Sequence, residues 1–310
     1  MPADLIVILG TGGTIAGTAK TTSDGVGYTA AQLRVEDLLA AVPPLASRRL
    51  EAHQLVQLDS KDMDHATWQR LASTVQEHLA RPEVAGIVIT HGTDTLEETA
   101  YFLHRVLAPA KPVVFTAAMR PATALVPDGP QNLFDAVQVA ATPGATGVVV
   151  AFAGRVHDAT QVRKTHSYRV DAFESADGAL VARVEEGAVR WVGRWPVGEG
   201  VGLARIARAP EHWPRVDVVL NHAGADGRIV RALLAAGVDG IVAAGTGNGT
   251  LSRALEAALL EAQAQGVRVV RSTRCDAGPV MELPGLLPSA GALGPVKARI
   301  ELILALLANG

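Results

Sequence analysis

Two short stretches of this chain concentrate small hydroxyls, glycines and an acid where a bound ligand is met. The first, Thr11-Gly12-Gly13-Thr14-Ile15-Ala16-Gly17, follows an apolar run from Asp4 to Leu9 that reads as a β-strand. The second, Thr90-His91-Gly92-Thr93-Asp94-Thr95, follows the β-branched run Ile87-Val88-Ile89 and precedes a helical periodicity from Leu96. Both sit at the carboxyl end of an expected strand, the edge at which open α/β sheets bind ligands, and free amide N–H groups there favour an anion. Each has an ordinary explanation: a turn hydrogen bond for Thr14, and a helix cap with Glu97 and Glu98 in the first turn for Thr93, Asp94 or Thr95. Their shared layout favours a different one. Two hydroxyl-bearing turns on one sheet edge can converge on a single small polar ligand, with glycines letting the backbone approach it.

The elements that must hold these turns follow from periodicity. Leu50 to Leu58 reads as a strand ending in Asp59-Ser60-Lys61-Asp62, and Asp64 caps a helix through Leu79. Helices are also expected over Gln32–Val42, Leu96–Leu107 and Gln131–Ala141, and strands over Val113–Thr116 and Gly147–Phe152. Strands alternating with helices in this way specify βαβ units and a parallel sheet. Residues 155 to 195 carry only short alternating stretches, read as β-hairpins, with Glu185-Glu186-Gly187 as one turn. The 196–214 segment, with three glycines and three prolines, reads as a linker. Alternation then resumes with strands at Val216–Leu220, Gly240–Ala244 and Val267–Arg271, and helices at Ile229–Ala236, Leu251–Gln265 and Pro295–Ala308. The expected fold is therefore α/β: a larger N-terminal domain (1–195) with a mostly parallel β-sheet and flanking helices, and a smaller α/β C-terminal domain (215–310).

Composition narrows the function. With 310 residues, 48% of them apolar, the chain can bury real cores. A net charge of −3 without a basic stripe argues against nucleic acid, and no apolar run reaches the roughly 18 residues of a membrane span. One cysteine, Cys275, leaves no intrachain disulfide and no cysteine-based zinc site, and the nine histidines show no metal spacing, so no metal is expected. The opening MPADLIVILG reads as a first strand and not as a signal peptide. A cytoplasmic protein is the expectation, with export from a longer precursor as the alternative. The glycine loop lacks both the G-x-G-x-x-G spacing of dinucleotide folds and the P-loop spacing.

TGGTIAG together with GIVITHGTDTLEETAYFL resembles the bacterial-type L-asparaginase and glutaminase-asparaginase family. The likeness runs nearly the full length, through Asp59-Ser60-Lys61-Asp62-Met63, Ala118-Met119-Arg120-Pro121, Asp128-Gly129-Pro130, Gly245-Thr246-Gly247-Asn248-Gly249 and Lys297-Ala298-Arg299. It implies a two-domain amidohydrolase without cofactor, usually a homotetramer of intimate dimers in which the neighbouring subunit closes each site. Carried over residue by residue, Thr14 matches the nucleophile, in a flexible loop that also holds Tyr28. Thr93, Asp94 and Lys164 match a second hydroxyl–carboxylate–amine group. Ser60 and Asp94 match the residues that hold the α-carboxylate and α-amine of an amino-acid substrate. Thr93 and Ala118 match further substrate contacts, Asn248 a residue reaching into the partner's site, and Glu282 the glutamate lent by that partner.

The implied reaction is hydrolysis of the side-chain amide of L-asparagine to L-aspartate and ammonia through a threonine acyl-enzyme. These residue types suit it: a hydroxyl nucleophile, a phenol and an amine to move protons, and polar groups for a zwitterion. Two departures stand out. Lys61 follows Ser60 where the family commonly has Gln or Glu, and its ammonium would repel a substrate amine unless it turns outward or pairs with Asp59 or Asp62. The segment after Arg274 is short and lacks the usual Thr/Gln-rich run. A glutaminase-asparaginase of broader specificity and a non-catalytic amino-acid-binding protein on the same fold are the alternatives.

Overall fold

The structure is a computed structural model that describes residues 4–24, 26–176 and 179–308. Gly25, inside the glycine-rich loop expected from sequence, lies outside the described residues. The chain divides into two compact units, Met1–Leu203 and Ala204–Gly310.

In the first unit β1 (Leu5–Gly12), β2 (Leu50–Leu58), β3 (Val84–Thr90), β4 (Val113–Thr116) and β5 (Val148–Phe152) run parallel. Antiparallel β6 (Arg155–Asp158), β9 (Leu180–Glu185) and β10 (Ala188–Trp191) extend the sheet in the order β10-β9-β6-β5-β4-β3-β1-β2. β1, β3, β4 and β5 are wholly or almost wholly buried, as strands covered on both faces must be, and their sequences are accordingly continuous apolar runs. The helices α1 (Val35–Ala40), α2 (His65–Leu79), α3 (Leu96–Leu107) and α4 (Gly129–Ala140) connect them. Leu133, Ala136, Val137 and Ala140 of α4 bury against Ile8, Val88, Val114 and Val149. A separate ribbon pairs β7 (Val162–Lys164) with β8 (Phe173–Ser175).

The order β2-β1-β3 contains the topological switch. The chain leaves β1 to one side for β2, then crosses back to place β3 on the other side of β1. The connections on either side of β1 therefore diverge, and a crevice opens at the carboxyl ends of β1 and β3. Both hydroxyl-bearing turns lie there.

Several local expectations are modified. The helix expected over Gln32–Val42 shrinks to the six residues of α1, because Gln32 and Leu33 donate their amides to Ala16 O instead of starting a helix. Thr14–Ala16 form one turn of 3-10 helix where only loop was expected. Residues 196–202 stay fastened to the first unit through Val201 N–H to Arg105 O and Gly202 N–H to Val106 O. The two-residue loop Glu186-Gly187 of the β9–β10 hairpin has φ values of 49° and 74°, the left-handed pair whose twist matches the strands it joins.

The second unit holds the parallel sheet β11 (Val216–Leu220), β12 (Gly240–Gly245) and β13 (Arg268–Thr273), in that order. Its helices are α5 (Arg228–Ala235), α6 (Arg253–Ala264), capped by Ser252, and α7 (Pro295–Leu306). No helix among the described residues is long and apolar enough to cross a membrane.

Candidate active site

β1 delivers Thr14. Gly13 N–H donates to Leu58 O, and Gly13 itself has φ 80°, a left-handed turn that a side chain would strain. A Cβ on Gly13 would overlap the backbone N and Cα of Gly92, and one on Gly92 would overlap the Ser60 hydroxyl. The residues immediately before Thr14 and Thr93 are thus packed backbone against backbone, which brings the two turns to one place. Thr14 is buried, and its Oγ1 lies 2.6 Å from the Tyr28 hydroxyl. Tyr28 reaches it because Thr18 and Thr29 exchange backbone hydrogen bonds of 2.9 Å, closing the loop into an arch that folds the phenol back over Gly17.

β3 delivers the second group. Lys164, at the end of β7, places Nζ 2.9 Å from Thr93 Oγ1 and 2.7 Å from Asp94 Oδ1. The ammonium-bearing side chain is 18% exposed and the Asp94 side chain 54%, so the pair is sunk at its lysine end and open at its carboxylate end. Glu97, expected only as first-turn acid, accepts the Lys164 backbone N–H at 3.4 Å and ties the ribbon to α3. The capping explanation for the threonines is not what the structure shows. Thr95 occupies the cap position of α3 without a side-chain cap bond, and its hydroxyl donates to Ser60 O at 2.7 Å. Ser60 Oγ in turn accepts the Asp94 N–H at 3.2 Å, which leaves the serine's own hydroxyl hydrogen to donate outward.

His91 is fully buried, and its Nδ1 donates to Gly92 O at 2.7 Å. A carbonyl only accepts, so this bond assigns the proton to Nδ1. Burial pushes the imidazole down to about 4, and it stays neutral. Ala118, buried after β4, stands on a turn pinned by Asp128, whose carboxylate accepts the Met119 and Arg120 amides at 2.9 Å each. Asn132 braces the same turn by donating to Ala117 O. Lys61 turns away: it is 63% exposed and pairs with Asp59, which raises its affinity for its proton.

The structure therefore brings Thr14, Tyr28, Ser60, Thr93, Asp94 and Lys164 to the carboxyl edge around β1 and β3. Asn248 and Glu282 belong to the second unit. Asn248 follows β12 and its Oδ1 accepts the Met281 N–H at 2.8 Å. Glu282 accepts the Ser289 N–H at 3.1 Å and lies 3.9 Å from the buried guanidinium of Arg271. Sequence reasoning missed Glu97, Thr95 as the anchor of Ser60, and Asn132 as a brace. The first two lay inside the quoted motif, but their polar atoms reach partners on other elements.

Among the described residues one grouping has metal-like spacing: Glu51 and His53 on β2 with His78 near the end of α2. It lies at the opposite, amino-terminal end of the sheet, and sequence spacing hides it because a strand and a helix contribute. Arg81 already fills it, with Nη1 and Nη2 on the two Glu51 oxygens at 2.7 and 2.8 Å and Nη1 3.1 Å from His78 Nδ1. A guanidinium in that position neutralises the carboxylate and repels a cation.

A switch-point crevice lined by paired hydroxyls, an amine and a carboxylate defines a hydrolase-type α/β site. The comparisons define it further: residues 5–196 match the model described as "Asparaginase, N-terminal" and residues 215–310 the "Glutaminase/Asparaginase C-terminal domain". The chain belongs to the asparaginase family of amidohydrolases. It is 37% identical over 311 residues to L-asparaginase 2 of Bacillus subtilis (97% of this chain, 82% of that one). It is 36% identical over 312 residues to the glutaminase-asparaginase of Pseudomonas fluorescens biotype A (97% and 86%). Its fold is shared with a probable cytoplasmic L-asparaginase from Campylobacter jejuni at a TM-score of 0.92 and 36% identity, covering 98% and 95% of the two chains.

Proposed function

We propose that this chain hydrolyses the side-chain amide of L-asparagine to L-aspartate and ammonia, with Thr14 as nucleophile and an acyl-threonine intermediate. The observation that carries the reading is the pair of turns locked together at Gly13 and Gly92. One presents a hydroxyl bonded to a phenol, the other a hydroxyl bonded to an amine. Thr14 Oγ attacks the amide carbon as its proton passes to the Tyr28 oxygen and on to the departing nitrogen, which leaves as ammonia. Water attacks the ester as its proton passes through the Thr93 hydroxyl to Lys164 in its neutral amine form; the acyl–oxygen bond breaks, aspartate leaves, and Thr14 takes back a proton by way of Tyr28.

The zwitterion is held beside this centre. The outward hydroxyl hydrogen of Ser60 suits the α-carboxylate, and the open end of Asp94 suits the α-ammonium. Lys61 is exposed and bonded to Asp59, with Asp94 only the last of the carboxylates that raise its proton affinity, so Asp94 stays open to that ammonium. Ala118 walls the pocket. In a homotetramer built as a dimer of intimate dimers, Asn248 would reach a neighbouring site and Glu282 would be lent to it, and sedimentation of the intact protein tests that assembly. A cytoplasmic location goes with the single cysteine and is tested by cell fractionation.

Ammonia release is measured from L-asparagine, D-asparagine and L-glutamine, with wild type and Thr14→Ala. Selective turnover of L-asparagine that vanishes in the variant supports the proposal. Equal kcat/KM for L-glutamine would replace it with a broader glutaminase-asparaginase, the activity in the name of the Pseudomonas relative. Aspartate binding without ammonia release would leave a non-catalytic binding protein.

A further inference from the structure

Tyr28 is useful to Thr14 only while its arch stays closed, and the arch has little of its own to keep it closed. Among the described residues of the 18–30 stretch none is buried, and among them only the Thr18–Thr29 pair spans the arch from strand to strand. A second turn, Pro121 to Val126, lies against the arch and is joined to it at three rungs. Ala122 N–H donates to Gly17 O at 2.9 Å, and Leu125 N–H donates to Thr22 O at 3.1 Å. Between them, Ala19 N–H donates to the Thr123 hydroxyl at 2.8 Å, and that hydroxyl donates to Ala19 O at 3.5 Å.

Two of these rungs are backbone to backbone and accept almost any residue. The middle one is made by a side chain. Ala19 adjoins Thr18, whose partner Thr29 adjoins Tyr28, so the Thr123 hydroxyl acts one residue from the bridge that sets the phenol. The turn that carries Thr123 is rigid for its own reasons. Ala124 N–H closes it onto Pro121 O, Arg120 Nη1 donates to Val126 O, and Asp128 holds the Met119 and Arg120 amides. A fixed turn can therefore impose its geometry on a weakly buried arch.

We propose that Thr123 is a positioning residue, its hydroxyl latching the Thr18–Thr29 arch so that Tyr28 stays against Thr14. The proposal rests on the reading of Tyr28 as proton carrier for Thr14, and its test separates the two. Thr123→Val keeps the shape and removes the hydroxyl; Thr123→Ser keeps the hydroxyl and loses a methyl. The exposed Lys20 in the arch offers trypsin a site whose cleavage rate follows arch opening.

The expected result is nicking after Lys20 about fivefold faster in Thr123→Val, the loss of one typical hydrogen bond. A three- to tenfold lower kcat/KM for L-asparagine should accompany it, by about the same free energy. Thr123→Ser should stay close to wild type in both. Unchanged nicking in Thr123→Val overturns the latch. Nicking of Thr123→Ser as fast as Thr123→Val overturns the hydroxyl's part in it. Faster nicking with unchanged turnover overturns the link to Tyr28. If the wild type releases no ammonia from L-asparagine, the catalytic reading falls while the nicking rates still decide the latch.

Discussion

Thr14 and Thr93 stand on the turns that follow neighbouring parallel strands, yet they are supported in opposite ways. Thr93 precedes a three-turn helix, its turn is buried from Thr90 to Thr93, and its partner Lys164 arrives on a ribbon tied to that helix by Glu97. Thr14 opens a single 3-10 turn, and its partner Tyr28 arrives on an exposed arch. One hydroxyl is held in a preformed charged group and the other is completed by a largely exposed segment. The division suits a two-step hydrolysis. In the proposed mechanism substrate would enter before Thr14 is covered, while the Thr93–Lys164 group could be in place throughout.

The comparison breaks first at Thr14. Thr14→Ala should lower turnover by at least about a thousandfold with the fold and aspartate binding kept, as expected for a lost nucleophile. Ammonia release near the wild-type rate would show that Thr14 is not the attacking group. Lys164→Met should come next, with kcat down by roughly a hundredfold or more and an altered pH–rate profile. Intact-mass measurement of this variant during turnover should reveal acyl-enzyme, because the second step is the one that loses its base. Its stability should change little, since the stranded Asp94 is half open to water. An unmodified mass spectrum together with unchanged kcat would place the water-activating group elsewhere.

A pH experiment probes the buried turn alone. His91 has its pKa lowered from 6.5 to about 4, by burial. The unfolded chain binds a proton there below 6.5 while the native chain does not until about 4. The associated stability is complete above 6.5 and is lost as pH falls through that window, at most roughly 3 kcal/mol. Asp135, raised to about 6 by burial, works in the opposite direction, since its native form keeps a proton that the unfolded chain releases above 3.8. Wild type therefore has to be compared with His91→Gln by urea unfolding at pH 7 and pH 4.5. The variant's deficit should shrink by about 2 kcal/mol at the lower pH. A constant deficit would mean that His91 titrates normally. The smallest effect is expected for Lys61→Gln, less than about threefold in KM, because an exposed pair with Asp59 contributes little. A tenfold change would put that ammonium in the pocket.

Much of the scaffold was legible because buried parallel strands are continuous apolar runs and helix entries carry their own signals. Asp64 does accept the Thr67 N–H at the start of α2. The short α1 was overestimated, since the same apolar spacing serves a segment that spends its amides on Ala16 O. Thr14, Thr93 and Asp94 could be singled out from local layout. Lys164 and Tyr28 could not, and only family resemblance pointed to them. A lysine beside an arginine on a short strand looks like any surface residue until a carboxylate 70 positions away meets it.

The sequence by itself determined the strand–turn–helix units and the placing of glycines and hydroxyls at their carboxyl ends. Those follow from steric preferences acting over a few residues. The crossover that sets β3 against the far side of β1 decided the rest. It closed Gly13 onto Gly92, joined Lys164 to Thr93 across 71 residues, and redirected the Thr95 hydroxyl from a helix cap to Ser60. Contacts between distant segments depend on how whole layers pack, and no local pattern encodes which turn will face which.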